Sequence, residues 1–157
     1  MHLFATLAML IVGLALLTFY FTIQSKESGL SGDDKTKFDR LMAGILSLGS
    51  MFMAFSLGVL GVQRNLGEAM KGEPAYDRYM IVCLLVGIVV LVLGGMALST
   101  LNYKSGENES DDRKQIYTEL LIIEVLAGVA TAVSLLFTVK SLTGHSFGFD
   151  FEFWGKK

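Results

Sequence analysis

A single cysteine, a single proline and two histidines leave this chain short of the residues on which most protein chemistry is built. The lone cysteine, Cys83, excludes an intrachain disulfide and a cysteine-based metal site; lying inside an apolar stretch, it reads as a small packing residue. The lone proline, Pro74, lies outside every long apolar run, so no span carries the proline-broken helix that marks many transport sites. No Lys/Arg cluster is present and the net charge is -2, which argues against a nucleic-acid partner. The basic residues are also mixed with acids in every polar segment, so a polybasic headgroup site is unsupported. There is no Gly-rich phosphate loop, no Ser/His/Asp pattern and no His-x-x-x-His pair. No catalytic residue, cofactor or metal site is therefore expected, and the chain does not read as an enzyme.

What the chain does have is apolar length. Of its 157 residues 52% are hydrophobic and 18% charged, and the charges sit in short blocks between four apolar runs. These runs, 3–23, 41–62, 79–101 and 120–139, each reach the ~20 residues that cross ~30 Å of hydrocarbon as a helix. The first is too long for a signal peptide, has no Lys or Arg before it and no small-x-small cleavage site after it, so it reads as a retained span. The expected fold is an all-α integral membrane protein over 1–144, an up-down-up-down bundle of four transmembrane helices, followed by an aromatic tail over 145–157.

Boundary signals support this division. An aromatic-Asp-Arg-x-Met pattern occurs at Phe38–Met42 and again at Tyr76–Met80, and Asp112-Arg113 precedes the fourth run. An acid near a helix start suits the helix dipole, and aromatic and Arg side chains suit the membrane–water boundary. Gly72 with Pro74, Gly106 and Gly144 are the expected helix stops, with several helices continuing past the hydrocarbon. Segments 24–40 and 102–119 carry seven Lys/Arg and the opposite side six, so the positive-inside count nearly ties. The first span has four basic residues after it and none before, which points to 24–40 and 102–119 as the cytoplasmic loops. Use of the Asn108-Glu109-Ser110 glycosylation sequon would contradict that orientation.

Only one ionisable residue, Glu124, lies clearly within a run. At helical spacing it shares a face with Ala127, Gly128, Thr131, Ser134 and Thr138, while Ile122, Val125, Val129, Val133 and Leu136 lie opposite. Two roles stand open: a neutral carboxyl whose hydrogen bond pins the fourth helix, or a proton- or cation-handling group in a pathway between helices. Thr18, Tyr20, Ser47, Ser50 and Ser99 offer hydroxyls at that depth. Small residues at four-residue spacings, among them Ala54/Gly58, Gly95/Ser99 and Gly128/Ala132, are the expected helix-packing positions, within a bundle or in a homo-oligomer. The four-span tetraspanins and claudins need an extracellular loop with several cysteines, which this chain cannot supply.

The tail alternates Phe147, Phe149, Phe151 and Phe153 with Gly148, Asp150 and Glu152, a period-two, strand-like pattern in an otherwise helical chain. Four aligned Phe are a liability in solvent, so the tail is expected to dock on a partner subunit or to rest on the membrane interface. Small size, missing chemistry and this tail together point to a structural, assembly or anchoring subunit. Its setting would be a larger membrane complex, such as an energy-converting complex or the membrane of a virion. The alternative is a channel or transporter subunit that works through Glu124.

Overall fold

The apolar runs become helices because nothing inside them breaks a helix and their backbone groups can be satisfied within the segment. A computed structural model describes residues 2–66, 74–103 and 110–143. Its elements are α1 (His2–Gln24), α2 (Gly32–Leu66), α3 (Pro74–Leu101) and α4 (Asp111–Thr143), and the regular structure of the described residues is entirely helical. All four helices are long and apolar enough to cross a membrane. With 35 and 33 residues, α2 and α4 extend ~50 Å at 1.5 Å per residue, well beyond a ~30 Å hydrocarbon layer. The excess includes their first turns, polar segments 32–40 and 111–119 that precede the apolar runs.

Helix ends follow local chemistry, with two departures from the sequence-based expectation. Asp33 and Asp34 open α2, and Asp111 and Asp112 open α4, acids placed where the helix dipole favours them. Because α2 begins at Gly32, Asp39 lies two turns inside it and does not mark a helix start. The helix α3 stops at Leu101, five residues before Gly106. Asn102 takes the left-handed conformation there (φ 45°), and its N–H donates to the Leu98 carbonyl at 3.2 Å. Asn tolerates this conformation better than most side chains, which makes it a helix stop in its own right. Pro74 begins α3, where a missing N–H is harmless. Gly72, Gly106, Gly144 and the tail residues 145–157 lie outside the described residues, the four Phe of the expected docking face among them.

The helices pack as a closed ring, α1 on α2, α2 on α3, α3 on α4 and α4 back on α1. Its interior is filled by Met9, Leu16, Met42, Ile45, Phe52, Met80, Val90, Leu120 and Ile123, all essentially inaccessible. For helices in lipid, whose tails are as apolar as these side chains, burial alone does not drive association; close van der Waals approach does. Glycine makes that approach possible. Where Gly13 of α1 passes α2, an added Cβ would stand 2.9 Å from Met53 Cγ and 3.2 Å from the Gly49 carbonyl oxygen. A Cβ on Gly49 would stand 3.1 Å from that of Leu16, and one on Gly44 2.9 Å from Leu93 Cδ1 of α3.

On α4 the inward face holds Ala127, Ser134 and Thr138, and Val125, Val129 and Leu136 face out, as the sequence predicts. Val133, expected outside, packs against the core instead, and Gly128 is only partly covered. The buried face is thus turned slightly from the expected one. Outside, Ile11, Phe21 and Val125 are each more than 60% exposed, part of an apolar surface that would be an aggregation liability in water.

Gly49→Val should lower the thermal stability of the detergent-solubilised protein, at the ~1–3 kcal/mol typical of forcing side chains into packed contacts. Gly58→Val, where the space beside the backbone is open, should change it by less than ~0.5 kcal/mol. Thermal unfolding of the two variants in one detergent checks this.

Candidate functional site

The seam between α3 and α4 is the most chemically distinctive part of the molecule. A methyl group on Gly87 would overlap Oγ1 of Thr131, and one on Gly94 would overlap Oε1 of Glu124. Both pairs are seven residues apart on each helix, so the polar side chains of one face of α4 drop into notches on one face of α3. The Thr131 hydroxyl settles its own need by donating to the Ala127 carbonyl at 2.7 Å. Glu124 does not: Oε1 is buried and has no hydrogen-bond partner among the described residues. A buried polar atom without a partner is destabilising by roughly 1–3 kcal/mol, so this carboxyl is held in place by the space Gly94 provides. The pinning hydrogen bond expected from the sequence is not found at this oxygen.

Three of the five hydroxyls expected near Glu124 are committed elsewhere, and Tyr20 is partly buried and packed against the core. Thr18, Ser47 and Ser50 lie on exposed faces and donate to Leu14, Ala43 and Leu46 carbonyls of their own helices at 2.9, 3.0 and 2.9 Å. Ser99 is exposed. Deeper in the bundle, the hydroxyls of Ser56 and Tyr79 lie 2.8 Å apart and tie α2 to α3. Cys83 is a buried free thiol, in keeping with a packing role.

A second polar group closes the ring at the end of α1. Lys26 pairs with Glu119 of α4, both only 15% exposed. The Glu27 N–H donates to Asp112 Oδ2 at 3.3 Å, and Arg113 Nη2 donates to the Leu101 carbonyl that ends α3. Gly29, with φ 66°, lets the chain pass against the Arg113 side chain. The Tyr103 and Tyr117 rings stack at 4.6 Å with 23° between planes. None of these partnerships was assigned from the sequence. Lys26 and Glu119 lie just outside the apolar runs, and the usable signal was that opposite charges border spans on the same side.

Of the predicted packing positions, Gly58, Gly95 and Gly128 have nothing within 4 Å of where a Cβ would stand, and Ala132 is exposed. Close approach within the chain uses Gly13, Gly44, Gly49, Gly87 and Gly94 in their place. The physical reason is helix rotation, which spacing alone does not give: Gly13 and Gly49 approach each other across α1 and α2, Gly44 meets Leu93, and Gly87 and Gly94 meet polar side chains of α4. No group of His, Cys, Asp and Glu that could hold a metal ion occurs among the described residues. No protein-family model, no curated protein and no solved structure matches the chain.

Gly94→Ala should destabilise the protein through its overlap with Glu124, and Glu124→Ala should relieve that penalty. A double-mutant cycle by thermal unfolding should return a coupling of ~1–3 kcal/mol. Lys26→Met should also destabilise, because it leaves the Glu119 carboxylate largely buried without its countercharge, and adding Glu119→Leu should recover part of the loss.

Proposed function

We propose that this chain is an integral membrane protein crossing the bilayer four times in alternating directions, and that it serves without catalysis as a structural or anchoring subunit of a larger complex. Alternation is supported by the pairings between neighbours. Gly44 meets Leu93 while Ser56 meets Tyr79, and Gly87 meets Thr131 while Gly94 meets Glu124. Residue numbers rise along one helix as they fall along the next. Lys26–Glu119 and Glu27–Asp112 support placing the segments after α1 and before α4 on one side.

The subunit reading is carried by one observation, the small residues left open on the outer surface. Gly95 is exposed on α3 and Gly128 partly covered on α4, and neither has an atom within 4 Å of where a Cβ would stand. Partner helices approach closely at such positions, where lipid chains pack less well. The aromatic tail, Phe147 to Phe153, adds a second attachment in this reading, through pairing with a partner's strand edge or groove. Orientation with 24–40 and 102–119 in the cytoplasm belongs to the same proposal. A second reading, a channel or transporter subunit, is favoured by the unpartnered oxygen of Glu124 alone. Proteoliposomes test it: Glu124→Gln should abolish a measured proton or cation flux if that reading holds.

Two outcomes are expected. Tags at Met1 and Lys157 should be accessible from one side of sealed vesicles and a label at Gly32 from the other; termini on opposite sides would end the four-crossing reading. Gly95→Leu combined with Gly128→Leu should leave the isolated chain as stable as the native one, yet reduce co-purification of its complex at least tenfold. Retention of the complex at full occupancy would remove the observation on which the subunit reading stands.

A further inference from the structure

A shift of 78 residues carries the first helical hairpin onto the second. The end of α1, Gln24, falls on 102 against Leu101 for α3, and the start of α2, Gly32, falls on 110 against Asp111 for α4. Asp33-Asp34-Lys35 falls on Asp111-Asp112-Arg113. The buried faces coincide as well: Met42 with Leu120, Ile45 with Ile123 and Ser56 with Ser134 on α2 and α4, Val12 with Val90 and Ile23 with Leu101 on α1 and α3. So do the outward faces, Ile11 with Val89 and Met51 with Val129. Any two bundle helices share a buried periodicity, so one matching pair would mean little. Here one shift serves both helices, the turn between them and the faces they turn in and out. It also exchanges the two interfaces between hairpins, α1 on α4 and α2 on α3.

Against this shared pattern two departures are paired. Met9 of the first hairpin corresponds to Gly87 and Met53 to Thr131, whose hydroxyl fills that notch. Leu16 corresponds to Gly94 and Leu46 to Glu124, and this second pair alone brings in an ionisable group. Where the first hairpin has a large side chain on one helix, the second has a glycine, and a carboxyl from its other helix occupies that space. We infer that α1–α2 and α3–α4 are two copies of one helical hairpin, and that the second copy alone carries a proton-binding site, the Glu124 carboxyl seated on Gly94. The inference rests on the membrane reading above and is independent of whether the carboxyl supports a flux.

The surroundings suit a carboxyl that binds and releases a proton without a fixed partner. Between residues 79 and 101 α3 carries no charged side chain, and its titratable groups, Tyr79 and Cys83, lie toward its far end. From residue 41 to 63 α2 likewise carries no charge. On the α1 side the titratable group within the apolar run is Tyr20, and the nearest charges are Lys26 and Glu119, the latter more than a turn along α4 and the two already paired with each other. The reaction is the simplest available, one proton added to one carboxylate oxygen, with no further reactant.

Both halves can be tested on the full chain in lipid nanodiscs. On a Cys83→Ala background, spin labels at 11 and 51 should give the same mean separation as labels at 89 and 129, and the cross pairs 11/129 and 51/89 should also agree. Differences greater than about half a helix diameter, ~5 Å, would overturn the duplication. A lipid-soluble carbodiimide, which reacts with protonated carboxyls, should give an adduct at Glu124 by peptide mass spectrometry. That adduct should decline as pH is raised and be absent in Glu124→Gln. No adduct at any pH in a protein that passes the distance test would overturn the proton site and leave the duplication standing.

Discussion

Four helices long and apolar enough to cross a membrane gain little, in lipid, by hiding apolar side chains from one another, and under the membrane reading proposed above the packing answers to that constraint. What remains to hold them is contact between atoms, and contact improves as backbones come closer. Five glycines supply the closeness: Gly13 and Gly49 between α1 and α2, Gly44 between α2 and α3, Gly87 and Gly94 between α3 and α4. Each meets a side chain or backbone of the neighbouring helix at a distance no added Cβ would tolerate without movement. The interior can then be filled by flexible and branched side chains such as Met9, Met42, Ile45 and Met80, which adapt to the gaps left between closely spaced helices.

Polar groups enter this scheme in two ways. At the end of α1 the ring is closed by charge, with Lys26 and Glu119 paired where polar segments leave the apolar layer. In the seam between α3 and α4 a carboxyl occupies a glycine notch without a partner for Oε1 among the described residues. The first pairs opposite charges through Glu119 Oε1, although Glu119 Oε2 is itself buried without a hydrogen-bond partner among the described residues; the second is a carboxyl with no countercharge beside it. That contrast makes Glu124 the residue whose purpose is least explained by the fold and most open to function.

The four helices were legible because runs of 20 or more apolar residues have few alternatives, and Asp112 marked the start of α4 as expected, whereas Pro74, read as part of a helix stop, begins α3. The outward face of α4 was legible from its period, with Val125, Val129 and Leu136 exposed. The end of α3 was misplaced because Asn102 served where a glycine was sought. The glycines that carry the intrachain contacts were not legible. Gly94 and Gly95 are neighbours of one type, yet one is filled by Glu124 and the other faces open space, and only helix rotation decides between them. The 78-residue correspondence was hidden for a related reason: few of its paired residues are identical, and the match lies in which positions are buried.

The assignment of inside and outside is therefore the claim on which packing, subunit contacts and the place of Glu124 all depend. It is tested most directly by a paramagnetic accessibility scan along α4, with single labels from Ile116 to Thr138 in lipid nanodiscs. Oxygen accessibility should oscillate with a period near 3.6 residues, with maxima at Val125, Val129 and Leu136 and minima at Ile123, Ala127 and Ser134. A flat profile, or maxima at Ala127 and Ser134, would contradict the arrangement described.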